Sequence, residues 1–217
     1  MSYSESKAIK PAGLTLLLLA AGPLRAQRFE TGLLIGQQQY DSYSYSVRGP
    51  STVGVAPETN RVVAGRFGVT VADFGPARMV VTLGFQPEKS TPTKRLGTAL
   101  FDDLKYRYYS IGAGVAMTSI VALSVNLELR SESLNHVYGT YYGSGSDGYS
   151  TTWNRAWLRF NLSYTFPSVG IKPFIGFETA SALTIQSDPV YGRETTDILL
   201  KAMAPKSQSG IYAGVRF

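Results

Sequence analysis

The chain has no cysteine, a single histidine, and no apolar run long enough to cross a bilayer as a helix. Each absence closes off a class of protein. Without cysteine there is neither a disulfide framework nor a thiolate metal site, so hydrogen-bonded architecture alone must hold the fold. The apolar segment Leu14–Ala21 (LTLLLLAA) falls well short of the ~20 residues that a membrane helix needs. Charge of one sign is not clustered either. The formal net charge is +6 and the pI about 9.5, yet the basic residues are scattered singly, with no polybasic run to track a phosphate backbone. Nucleic acid is therefore not an expected partner. The acidic candidates for a metal, the pair Asp102 and Asp103 with the isolated Asp147 and Asp188, fall short of the six or more oxygens that calcium takes. No metal or cofactor is expected.

What is present begins with the first 26 residues. Lys7 and Lys10 precede the apolar segment, and Gly22, Pro23 and Leu24-Arg25-Ala26 follow it. A basic start, a short apolar stretch and small residues before a cleavage point describe a secretory signal peptide, here residues 1–26 with cleavage after Ala26. Residues 27–217 are then one domain. The leader carries Lys7, Lys10 and Arg25 against Glu5, so its removal lowers the net charge by two.

The last eleven residues, Ser207 to Phe217, alternate strictly. Ser209, Ile211, Ala213, Val215 and Phe217 form one face, and Gln208, Gly210, Tyr212, Gly214 and Arg216 the other. That is a β-strand with one apolar and one polar side, and it stops on an aromatic residue. This end of the chain resembles the small bacterial outer-membrane β-barrel family, whose closing strand ends in Phe. The resemblance implies that Val215 and Phe217 serve as an assembly signal read by the barrel-assembly machinery. It also implies outer-membrane lipid as a partner and a place in the bacterial outer membrane. The family's closing strand prefers Gly five residues before the terminal Phe, where this chain has Tyr212.

Period-2 alternation recurs over about 29–38, 61–73, 77–86, 106–117, 121–133, 153–166, 171–183 and 207–217, which is eight strands. The cleanest is the fifth, with Val121, Leu123, Val125, Leu127 and Leu129 on one face and Ser124, Asn126, Glu128 and Arg130 on the other. Short connections near 73–76, 118–120 and 167–170 alternate with long ones over about 39–60, 87–105, 134–152 and 184–206. Short periplasmic turns and long extracellular loops are the asymmetry of outer-membrane barrels. The expected fold is all-β, an eight-stranded antiparallel up-and-down transmembrane barrel, expected as a monomer. Phe29, Phe74, Phe166 and Phe217 are expected in an aromatic girdle at the turn end, and Tyr106, Tyr108, Tyr109, Trp153 and Trp157 in one at the loop end. An aqueous sandwich or lipocalin-like barrel would share the alternation, but would not require the leader, the terminal Phe and the loop asymmetry together.

Inward positions carry Glu30, Glu128, Glu132 and Glu178 against Arg66, Arg78, Arg130, Arg155, Arg159, Lys172 and Arg216, and of these Glu30, Arg66, Arg78, Glu128, Arg130, Arg155, Arg159 and Glu178 are expected to form a network. Eight strands enclose a space that side chains fill, and charges left unpaired there cost several kcal/mol each. A structural charge network that plugs the barrel is expected; the alternative is a narrow anion-preferring pore. In the long connections, Tyr43, Tyr45, Tyr138, Tyr141 and Tyr142 stand among Ser and Gly, a composition suited to recognition of an extracellular glycan or protein. The functional expectation is a plugged scaffold presenting surface loops for adhesion or binding. A passive solute channel is the second reading and an outer-leaflet lipid hydrolase the third.

Catalysis has thin support. His136 is flanked by Ser131, Glu132 and Ser133, but the lipid A deacylases, which the chain resembles in size, place Ser two residues after their catalytic His, where this chain has Tyr138. No catalytic residue is assigned. Gly143–Gly148 matches GxGxxG by letter but sits in a connection with no helix after it, and so cannot cradle a phosphate.

Overall fold

The computed structural model describes residues 28–40, 43–46, 52–57, 59–95, 101–117, 120–138, 148–167, 170–183 and 204–217. Among these residues ten strands follow one another: β1 (Phe29–Gln39), β2 (Tyr43–Ser46), β3 (Thr52–Pro57), β4 (Asn60–Asp73), β5 (Ala77–Arg95), β6 (Phe101–Met117), β7 (Val121–Tyr138), β8 (Gly148–Thr165), β9 (Lys172–Ala182) and β10 (Ser207–Arg216). Eight of them close a barrel in the order β5-β4-β1-β10-β9-β8-β7-β6, with β6 returning to pair β5, and every pairing is antiparallel. The hairpin β2–β3 is additional. It attaches to the far end of β5 through Val55↔Arg95 to Pro57↔Thr93.

Closure follows from the pattern, because a strand with one apolar and one polar face must hide one of them, and a closed sheet also removes its edges. Here the outer face is the apolar one. Leu33, Val63, Phe67, Leu83, Ile111, Leu127, Leu162, Phe177 and Ile211 all stand exposed on it, and the polar and charged side chains turn inward. A surface so apolar all the way round has its low-energy place in hydrocarbon, not water. Two tight turns carry glycine where the backbone needs a left-handed conformation: Gly75 and Gly170, each at φ 83°. At the first, Asp73 Oδ1 accepts a bond from Gly75 N at 3.0 Å, which fixes the hairpin between β4 and β5.

The wall is uneven in height. β1, β9 and β10 have 11, 11 and 10 residues, whereas β5 to β8 have 19, 17, 18 and 18. The tall strands run into the stretches 87–105 and 134–152 that alternation alone gives to connections. Above a bilayer both faces of a sheet are wet, so ladder hydrogen bonds continue there without any apolar alternation to reveal them. Eighteen residues at ~3.3 Å each, tilted ~40°, rise about 45 Å against an apolar band ~25 Å tall.

The girdle expectation needs correction at the loop end. Tyr106, Tyr108 and Trp157 are fully buried inside the barrel, and Trp153 packs partly buried against the same interior cluster. Register explains it: Tyr108 stands opposite Glu132 and Tyr106 opposite Leu134, both inward on β7. Tyr109, one position on, is the residue that faces out. At the turn end Phe74, Phe166 and Phe217 are exposed, with Ile120 and Ile171 among them.

Candidate functional site, the filled interior

The interior is built in layers by inward residues two apart on each strand. At its centre, Arg66 reaches from β4 across the lumen. Its Nε donates to Glu178 Oε1 and Oε2 at 2.9 and 3.1 Å, and its Nη2 to Oε1 at 2.6 Å. Glu178 also accepts from Arg159 Nη1 at 3.1 Å, and Arg159 Nε lies 2.6 Å from Glu128 Oε1. Glu128 Oε1 in turn lies 3.5 Å from Arg66 Nη1. The four side chains form a ring of alternating charge from β4, β9, β8 and β7, all of them buried. β8 is the strand diametrically opposite β4 in the order of the barrel, so the ring spans the full bore.

Arg130 adds a fifth charge. Its Nε donates to Glu128 Oε2 at 3.0 Å and its Nη1 to Gln208 Oε1 at 2.9 Å. Its guanidinium is held between the rings of Tyr108 and Trp157, at 4.2 and 4.0 Å from their centroids. Towards the loop end, Glu132 Oε1 accepts from Trp157 Nε1 at 2.5 Å, and its Oε2 lies 2.8 Å from Arg155 Nη2. Arg155 also donates to Pro205 O at 2.6 Å. Close packing depends on small neighbours. A Cβ on Gly84 would lie 2.8 Å from Arg66 Nη1, and one on Gly112 would lie 3.0 Å from Glu128 Cγ.

At the turn end a vestibule of about 700 Å³ opens between the short turns and narrows to Thr82, Asn126 and Arg159, where the ionic ring begins. Within it a separate cluster joins β1 to β10. Arg216 Nε donates to Glu30 Oε2 at 2.6 Å, and Tyr212 Oη to Glu30 Oε1 at 3.0 Å. Arg216 also bonds Thr165 and Ser163 and lies over the Phe174 ring.

Of the eight charges expected in the network, the structure brings Arg66, Glu128, Arg130, Arg159 and Glu178 into one cluster and places Arg155 one layer above. Glu30 and Arg78 are corrections to a single network. Glu30 serves the turn-end cluster. Arg78 pairs with Asp73 at 3.2 Å beside the first turn, partly exposed. It stands six residues along β5 from Gly84, which is about 20 Å, too far to join the ring. Trp157, Tyr108, Gln208, Glu132 and Arg216 take part without having been assigned a site role. Alternation on their strands put most of them inward, but which of them meet across the bore depends on stagger.

Of the other expected residues, Val215 pairs with Thr31 and Pro173, and Phe217 N donates to Phe29 O at 2.9 Å. Tyr43 and Tyr45 lie in β2 and Tyr138 in β7, each by backbone alone, while Tyr141 and Tyr142 lie outside the described residues. The backbone of His136 is within β7, opposite Leu104 and Tyr149. Residues 1–26 lie outside the described residues. Among the described residues no group of three His, Cys, Asp or Glu side chains could hold a metal ion.

No family model and no curated protein matches the chain. Similar solved structures do exist. A major outer membrane protein from Thermus thermophilus superposes with a TM-score of 0.51 at 10% identity, over 89% of this chain and 99% of that one. Ail, the attachment invasion locus protein of Yersinia pestis, gives 0.44 at 13% identity, over 88% and 97%. Neisserial surface protein A gives 0.40 at 13%, over 88% and 98%. At such identities the likeness is one of fold: the chain has the architecture of the small eight-stranded outer-membrane β-barrels.

Proposed function

We propose that this protein is an outer-membrane anchor whose barrel is closed by paired charge and which holds its loop-end connections at the bacterial cell surface. The observation that carries the reading is the ring Arg66–Glu178–Arg159–Glu128, which occupies the bore from β4 to the opposite wall. A solute would have to displace charges that are already paired and buried, at several kcal/mol each. In this reading residues 1–26 direct export and are removed, and the strand ending Val215-Arg216-Phe217 is the assembly signal. The connections rich in Tyr, including Tyr43, Tyr45, Tyr138, Tyr141 and Tyr142, supply a surface for an extracellular glycan or protein. No reaction is assigned.

The test is single-channel conductance of residues 27–217 refolded into planar bilayers. Silence from protein that has demonstrably inserted is the expected result. A steady, reproducible conductance would overturn the closed barrel in favour of a narrow channel for small solutes. Exchange of residues 139–147 for a Gly/Ser linker should then lower adhesion of cells displaying the protein, and unchanged adhesion would remove that connection from the binding role.

A further inference from the structure

The barrel wall has a break. The ladder between β4 and β5 runs from Asp73↔Arg78 up to Gly65↔Phe85 and ends there. Both strands continue upward on their other sides, β4 with β1 as far as Asn60↔Gln38 and β5 with β6 as far as Lys94↔Phe101. Residues 61–64 and 86–89 therefore face each other without a ladder. The cause is local. β5 shifts register between Gln86 and Lys89, and Pro87 has no N–H to give. The strands are bridged again above the break, where Asn60 Nδ2 donates to Ser90 O at 3.1 Å.

The break forms a groove of about 570 Å³ whose lining includes Ile35, Arg61, Val63, Pro87, Glu88 and Lys89. Behind it Gln38 and Gln86, both buried, exchange amide hydrogen bonds at 2.8 and 3.3 Å from β1 to β5. That pair closes the groove from the lumen, so its free opening is on the outer face.

Its height is informative. Ile35 and Val63 are the last exposed apolar residues on their strands, and the next outward positions are Gln37 and Arg61. The groove thus straddles the upper edge of the apolar band. Neither Arg61 nor Lys89 has an ion-pair partner among the described residues, whereas Glu88 accepts a bond from Asn135 at 3.3 Å. Main-chain groups left without a ladder partner are costly in hydrocarbon, but at headgroup depth they can bond a phosphate.

We propose that this groove binds an anionic, phosphate-bearing lipid of the surrounding leaflet. Its headgroup sits between Arg61 and Lys89 on the open strand edges, and its acyl chains lie along Ile35 and Val63. The proposal rests on the membrane reading above, in which this edge of the barrel lies at headgroup level.

The test uses ¹⁵N-labelled protein in phosphatidylcholine nanodiscs containing increasing phosphatidylglycerol. The amides of Arg61, Val63 and Lys89 should shift and saturate. Arg61→Gln should raise the midpoint about fivefold, and the double variant R61Q/K89Q should abolish saturation. Heat-dependent gel mobility establishes that each variant is folded. Groove amides that do not move, or that move alike in the double variant, would overturn the site. Equal shifts from inorganic phosphate in pure phosphatidylcholine discs would overturn the lipid as occupant. Protein that does not enter the discs at all would overturn the membrane reading, and this site with it.

Discussion

Arg66 on β4 and Glu178 on β9 share three hydrogen-bond contacts of 2.6 to 3.1 Å, although 112 residues separate them and two strands lie between theirs in the wall. Both carboxylates that Arg66 meets, Glu178 on β9 and Glu128 on β7, stand on strands that do not adjoin its own. These contacts exist because the barrel is closed and narrow enough for an arginine to reach across it.

Removing one acid from the ring should cost far more than an exposed ion pair would. Glu128→Ala leaves Arg66, Arg130 and Arg159 each short of a carboxylate in a buried space. A loss of about 3–5 kcal/mol is expected, read as a lower midpoint in urea unfolding of the protein in detergent micelles. Asp73→Asn keeps the turn bond from Gly75 N, breaks only the half-exposed ion pair with Arg78, and should cost about 1 kcal/mol or less. Equal midpoints for the two variants would mean the ring contributes no more than a surface pair.

Gly84 leaves the room that Arg66 fills. Gly84→Ala would put a Cβ 2.8 Å from Arg66 Nη1 and closer still to Ser110 Oγ. Crowding of this kind typically costs about 1–3 kcal/mol. Gly68→Ala, on the neighbouring strand, meets nothing nearer than Val80 Cγ1 at 3.4 Å and should be close to neutral. Comparing the two melting temperatures in one detergent separates crowding of the ring from a general effect of replacing glycine in a strand.

The outer face should be sensitive to charge according to depth. Val125 lies midway along the outward apolar row of β7, from Val121 to Leu129, and Ser131 lies just beyond that row. In lipid vesicles Val125→Arg is expected to cost about 2–4 kcal/mol and Ser131→Arg about 0–1. Similar costs at both positions would contradict a bilayer set between them.

Phe217 should matter more to assembly than to the finished barrel. Its N–H closes one bond to Phe29 and its side chain is half exposed, so deletion removes little buried surface. In cells, deletion of Phe217 should reduce the heat-modifiable, folded fraction in the outer membrane severalfold, while purified protein refolds to nearly unchanged stability. Loss of stability in vitro matching the loss in cells would make Phe217 a packing residue and not a signal.

The eight barrel strands and their faces are legible in the residues alone. Alternation such as Val121-Leu123-Val125 against Ser124-Asn126-Glu128 states which side of a strand meets hydrocarbon, because side chains of a strand point to opposite faces in turn. With eight such strands and no cysteine or apolar helix to offer another solution, closure into a barrel was legible. So was the inward direction of Arg66, Glu128, Arg159 and Glu178. Which charges meet follows from the closed barrel and not from alternation, since partners across the bore depend on the stagger of strands far apart in sequence. The fold settles more than these pairings. It separated Glu30 and Arg78 from the ring, brought Trp157 and Tyr108 against Arg130, and carried β5 to β8 beyond the apolar band. It also opened the β4–β5 wall at Pro87, where a missing N–H and a shifted register leave two strands side by side without a ladder.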